Sequence, residues 1–151
     1  MNQAAQGAAG VLAVAISLAI SAGAMPAWSP PAQADPGFVS LELNKLEPHE
    51  KSCRAYLVVN NHTEAAFQSV KLDLVMFQSD GVIGRRFALE LAPLRPKKRT
   101  VKLFDLDGVA CERVGNFLLN DVIECQTDSG PVGDCLARLE VSALGPIQLA
   151  K

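Results

Sequence analysis

The sequence predicts an all-β domain, an immunoglobulin-like antiparallel β-sandwich of about seven strands, with an N-terminal signal peptide in front of it. Three features carry this reading: an uncharged apolar leader, short runs beyond Asp35 in which apolar and polar residues alternate, and clusters of turn formers between those runs. Alternation with period two places successive side chains on opposite faces of a strand. Several such runs at regular spacing are the pattern of two packed antiparallel sheets. No stretch of useful length beyond Asp35 repeats apolar residues at i, i+3 and i+4, as an amphipathic helix would.

Residues 1–34 contain no Asp, Glu, Lys or Arg, so all 14 basic and 16 acidic side chains lie beyond them. Ala8 to Met25 is built from Ala, Val, Leu, Ile, Gly and Ser, and a Pro- and Ala-rich stretch then ends in Ala32-Gln33-Ala34. This is the order of an apolar h-region, a c-region and a small-x-small cleavage site. Cleavage after Ala34 makes residues 1–34 the signal peptide and 35–151 a single disulfide-stapled domain. A retained single-pass anchor is the competing reading, but Ala, Gly and Ser dilute the stretch below what a spanning segment needs. The expectation is therefore an exported, periplasmic protein with no stable membrane insertion after cleavage.

The first strand is Val39, Leu41 and Leu43 against Ser40, Glu42 and Asn44, ending before the turn cluster Glu47-Pro48-His49-Glu50-Lys51. Cys53, Ala55, Leu57 and Val59 form the inward face of the second, stopped by Asn60-Asn61-His62-Thr63. Val70, Leu72, Leu74 and Met76 form the third, and Asp80-Gly81 supplies a hairpin turn into a fourth through Phe87, Leu89 and Leu91. Pro93 and Pro96 stop that strand, since proline lacks a ladder donor. A fifth runs from Thr100 to Phe104, followed by a loop or short helical turn over Asp105 to Gly115. Phe117 to Cys125 and Cys135 to Ala143 read as a closing hairpin around the turn-rich segment Gln126 to Asp134. The tail from Gly145 to Lys151 is either a final edge strand or a loose end.

Four cysteines, Cys53, Cys111, Cys125 and Cys135, all lie beyond the expected cleavage site. An even number in an exported chain implies two disulfides, with three possible connectivities. Cys125 and Cys135 bracket the turn-rich segment, which points to a bond closing that hairpin and leaves Cys53 to pair with Cys111. Redox or zinc chemistry would call for close pairs such as C-x-x-C, and the sequence has none.

Leu57-Val58-Val59-Asn60-Asn61, Val70 to Phe77, Asp80-Gly81-Val82-Ile83 and Leu91-Ala92-Pro93-Leu94 together resemble FxLYD-type immunoglobulin-like envelope domains, over roughly residues 52–104. The chain as a whole, through Cys53-Arg54-Ala55-Tyr56-Leu57, Val101 to Leu106 and Leu119 to Val122, is similar to small exported proteobacterial proteins usually labelled by a twin-arginine export signal. Here the leader has no Arg-Arg pair. The resemblance implies the sandwich fold and export, and it transfers no activity, cofactor or site residue.

Catalytic candidates are sparse. His49 and His62 are the only side chains with an ordinary pKa near neutrality, and each falls in a polar turn. Gly-x-Ser-x-Gly, His-Glu-x-x-His and phosphate-cradling glycine loops are absent. Asp105-Leu106-Asp107-Gly108 opens like a calcium loop, but Asn116 stands where the twelfth-position Glu belongs. Asn61-His62-Thr63 fits a glycosylation acceptor. A net charge of −2 is too small to imply nucleic acid as partner. These readings lead to a non-enzymatic binding module with no cofactor or metal and no nucleic-acid partner, which engages another cell-envelope protein. The surfaces expected to serve are the basic turn with Lys97, Lys98 and Arg99 and the Gln126 to Asp134 loop. A structural accessory of an envelope complex is the alternative.

Overall fold

The computed structural model describes residues 38–151, so the expected leader and its cleavage point after Ala34 lie outside the described residues. Nine strands follow in order: β1 (Val39–His49), β2 (Ser52–Asn61), β3 (Phe67–Gln78), β4 (Ile83–Glu90), β5 (Arg99–Asp107), β6 (Val114–Thr127), β7 (Gly130–Pro131), β8 (Leu139–Ala143) and β9 (Gln148–Ala150). A 3-10 turn at Cys111–Arg113 and a single helical turn, α1 (Cys135–Arg138), complete the elements. One sheet has the order β5-β2-β1-β8. The other has β4-β3-β6-β7, with β9 also paired to β6. Strands 1, 2 and 5 thus share one sheet and strands 3, 4 and 6 the other, the Greek-key partition of immunoglobulin-like sandwiches.

Alternation decides the inward faces. Leu41, Leu43, Cys53, Ala55, Leu57 and Val59 from one sheet meet Val70, Leu72, Leu74, Met76, Phe117 and Leu119 from the other, all buried. Each large apolar side chain buried this way stabilises by roughly 1.5 to 3 kcal/mol. Asp80-Gly81 forms the expected β3–β4 turn, with Gly81 at φ 84° and Val82 N donating to Asp80 Oδ1 at 3.0 Å. Gly115 is needed for a different reason, since a Cβ there would collide with the Gln78 carbonyl.

Two expectations need correction. The segment from Cys135 to Ala143 is not the hairpin partner of β6. Cys135–Arg138 winds into α1, and β8 then crosses to the first sheet, where it pairs in parallel with β1 from Val39↔Leu139 to Leu43↔Ala143. The sandwich is also not wholly antiparallel, because β9 pairs in parallel with β6. Both departures arise at the C-terminal end, where β7 gives the chain only two residues of return. The count of about seven becomes nine through the two short strands β7 and β9.

The disulfides join Cys53 to Cys111, with Cα atoms 4.9 Å apart, and Cys125 to Cys135, 6.4 Å apart. The first ties β2 to the 3-10 turn after β5, and the second ties β6 to α1. Between β4 and β5 the chain crosses sheets through a cis Ala92–Pro93 bond. Glu90 anchors that crossing, its Oε1 accepting from Val70 N at 2.8 Å and Ala92 N at 2.9 Å. Burial pushes the Glu90 carboxyl up, but these two amides and the Ser69 hydroxyl outweigh it and hold the group below its ordinary value.

Asn61 closes the same end. It is fully buried, its Nδ2 donates to Ala65 O and Arg95 O, and its Oδ1 accepts from Thr63 N and Thr63 Oγ1. The Asn61-His62-Thr63 spacing therefore builds a side-chain-closed turn joining the β2–β3 and β4–β5 loops.

Candidate functional site

The β6 strand is 14 residues long, and β3 runs along one of its edges from Gln78↔Val114 to Phe67↔Thr127. The opposite edge is shared. At one end β9 covers Asn116 to Leu118, and at the other β7 covers Gln126 and Thr127. Between them, on this edge, no strand among the described residues pairs with Leu119 to Glu124. At about 3.3 Å per residue this opening runs for roughly 20 Å.

Local sequence explains why the opening exists. The β3–β6 register skips Asn120 and Ile123, and such bulges bend a strand and sharpen its twist. The chain that would otherwise continue along this edge leaves for the other sheet as β8. What remains of it, Val132 to Leu136, is pinned alongside by the Cys125–Cys135 bond and by Val132 N donating to Cys125 O at 2.9 Å. A groove of about 500 Å³ results, with Asp121, Ile123 and Glu124 on the β6 side and Val132, Asp134 and Leu136 facing them. Three carboxylates line it and no Lys or Arg does. Ile123 is 57% exposed. One main-chain donor is already engaged, Val122 N donating to Asp121 Oδ1 at 2.7 Å.

Beside the groove, Asp73 on the outer face of β3 is only 5% exposed. It accepts from Arg86 Nε at 2.8 Å, Arg86 Nη2 at 2.7 Å and Asn120 Nδ2 at 2.6 Å. The Arg86 guanidinium first, and the Asn120 amide second, hold its carboxyl below the ordinary range. The bulge at Asn120 thus turns that side chain onto a buried charge. Because its three donors are all local, Asp73 stabilises the sheet and offers no free charge to a ligand.

No family model matches the sequence, and no curated protein matches it. Among solved structures, the chain is similar to IrmA from Escherichia coli. The identity is 13% and the TM-score 0.52, over 74% of this chain and 96% of that one. The likeness is one of fold.

The two expected surfaces fall on different edges. The Gln126 to Asp134 loop lines one end of the groove through Gln126, Pro131, Val132 and Asp134. The basic turn precedes β5, on the other lateral edge of the sandwich. Within it, Lys97 sits at φ 50°, donates from Nζ to His62 O at 2.8 Å and lies 3.2 Å from Glu64 Oε1. Its charge therefore clamps two loops together, while Lys98 and Arg99 stay exposed.

The histidines do not converge. His49 pairs with Ser52 at one end of the β1–β2 ladder, and His62 lies just past Asn61 at the other, roughly 30 Å away by strand rise. His62 Nε2 is 3.0 Å from Ser40 Oγ and 3.1 Å from Asn60 Nδ2. Asp105, the first residue of the calcium-like run, accepts a bidentate pair from Arg54 at 2.7 and 2.8 Å. Among the described residues, no group of three or more His, Cys, Asp or Glu side chains is placed to hold a metal ion.

Sequence reasoning missed the β6 opening. The signal is the length of the apolar run from Phe117 to Cys125, which needs partners on two sides, but in the sequence the run from Cys135 to Ala143 reads as the second of them.

Proposed function

We propose that this protein is an exported, periplasmic binding module without enzymatic activity, and that it captures an extended segment of another envelope protein at the open edge of β6. The observation that carries this reading is the open edge of the backbone from Leu119 to Glu124, on the side away from β3 and framed by β9 and β7. An exposed edge accepts a partner strand through main-chain hydrogen bonds, while alternate side chains set specificity. Asp121, Glu124 and Asp134 favour a segment carrying Lys or Arg, and Ile123 offers an apolar contact between them. The paired cysteines fit an oxidising compartment, and no helix among the described residues is long and apolar enough to cross a membrane. The separation of His49 from His62 speaks against a joint acid–base site.

A photoreactive residue at position 123, introduced into the protein in living cells, tests the proposal. The expected product is a discrete adduct whose captured peptide is extended and contains Lys or Arg, and which disappears when Asp121 and Glu124 are changed to Lys. Absence of any adduct at 123, or a turnover abolished by changing His49 or His62, would overturn it.

A further inference from the structure

The other lateral edge carries its own code. Asn61 N donates to Lys98 O and Gly108 N donates to Lys51 O, each at 3.1 Å. Lys98 and Gly108 therefore turn their main-chain groups toward β2. The β2–β5 register runs without a break between them, and main-chain direction alternates along a strand. The N–H and C=O groups of Arg99, Val101, Leu103, Asp105 and Asp107 consequently face outward, where no strand among the described residues pairs with β5. Donation from Arg85 Nη2 to Asp107 O at 3.0 Å fits that direction.

The side chains of these same residues lie on the outer face of the sheet. Val101 and Leu103 are 58% and 52% exposed and stand opposite Val58 and Tyr56, forming an apolar stripe. Arg99–Asp107 has no Pro, no bulge and no covering element; of the devices by which edges are normally protected it carries only charge, with Lys102 on the inner face. Read along the outer face, Arg99, Val101, Leu103 and Asp105 run basic, apolar, apolar, acidic. That order is complementary to its own reverse.

We propose that β5 pairs antiparallel with β5 of a second copy about a two-fold axis, extending each sheet into its partner's. Val101 then stands opposite Leu103 of the second copy, and Arg99 opposite Asp105, each pairing occurring twice. These are the cross-strand combinations that stabilise antiparallel ladders, with Asp105 shared between its own Arg54 and the second copy's Arg99, and the contact is isologous and closed. On the inner face Lys102 meets its own counterpart, but its Nζ is drawn toward Ala92 O, 3.3 Å away within its own copy. A parallel arrangement would instead set basic beside basic and acidic beside acidic. This edge lies opposite the β6 groove, so failure of the dimer leaves the capture proposal standing, and the reverse holds too.

Sedimentation velocity of the protein with both disulfides intact, from micromolar to millimolar concentration, should show a monomer–dimer equilibrium. Leu103→Lys, at an exposed position, should weaken it by about tenfold or more while leaving the circular dichroism spectrum unchanged. Lys102→Cys should give a covalent dimer on oxidation, because the two positions form a non-hydrogen-bonded pair with Cα atoms about 4.5 Å apart. A monomer at millimolar concentration, a dimer indifferent to Leu103→Lys, or a dimer with no 102–102 crosslink would overturn the proposal.

Discussion

Replacing Asn61 by Ala removes one buried amide and with it four hydrogen bonds. Thr63 Oγ1 keeps a partner, since it also lies 3.3 Å from Ala65 O. That bond also keeps the Ala65 carbonyl paired, so the groups left short are Thr63 N and the carbonyl of Arg95. A buried group without a partner costs about 1 to 3 kcal/mol. Both flanking loops are exposed enough to admit water, so the lower value applies to each group, and the expected loss is about 2 kcal/mol. For a domain of this size that corresponds to a fall in melting temperature of roughly 6 to 12 °C. Urea denaturation of the two proteins measures it, with an unchanged m value as the sign that the denatured state is not altered. Asn60→Ala, which disturbs only a contact to His62, should cost less than about 1 kcal/mol. A loss below about 1 kcal/mol for Asn61→Ala would refute the reasoning, because it would mean that the amide does not hold the two loops together.

Three further outcomes follow. Asp73 has a folded-state pKa below its unfolded value, so its contribution is fully present above about pH 4 and is lost as pH falls toward the folded value. Urea midpoints measured from pH 6 downward should decline in that window for the native protein and decline less for Arg86→Met, which lacks the guanidinium responsible. Opening the Cys53–Cys111 bond, with its 58-residue separation, should cost about 4 kcal/mol, against about 3 for the 10-residue Cys125–Cys135 bond, as chain entropy scales. Paired Cys→Ser variants in guanidinium titrations give the comparison. Intact-mass measurement of the protein from the envelope should show a chain beginning at Asp35, and a mass including residues 1–34 would favour the anchor.

The sandwich was legible because its inner faces are written with strict period two. Val70, Leu72, Leu74 and Met76 can be buried together only from one face of a strand, and Asp80-Gly81 fixes where that strand turns back. The C-terminal third was not legible. Leu139 to Ala143 has the composition of a strand, and composition does not say which sheet it joins. That choice is made by α1 and the Cys125–Cys135 bond, which divert the chain after only two residues of β7. The β6 groove is a product of the same diversion, so a reading that kept β8 beside β6 could not contain it. The loop at its end, Gln126 to Asp134, was singled out from turn chemistry alone. The charge run at Lys97, Lys98 and Arg99 was visible as a patch, but the clamp made by Lys97 to His62 O and Glu64 depends on two loops meeting across 35 residues of sequence.

The most direct test of capture at the β6 edge is amide hydrogen exchange across β6 in the complex isolated through a crosslinker at position 123. Main-chain pairing with a captured strand predicts slowed exchange within Leu119 to Glu124 and little change along β5. Slowed exchange confined to other segments, with Leu119 to Glu124 as fast as in the free protein, would contradict it.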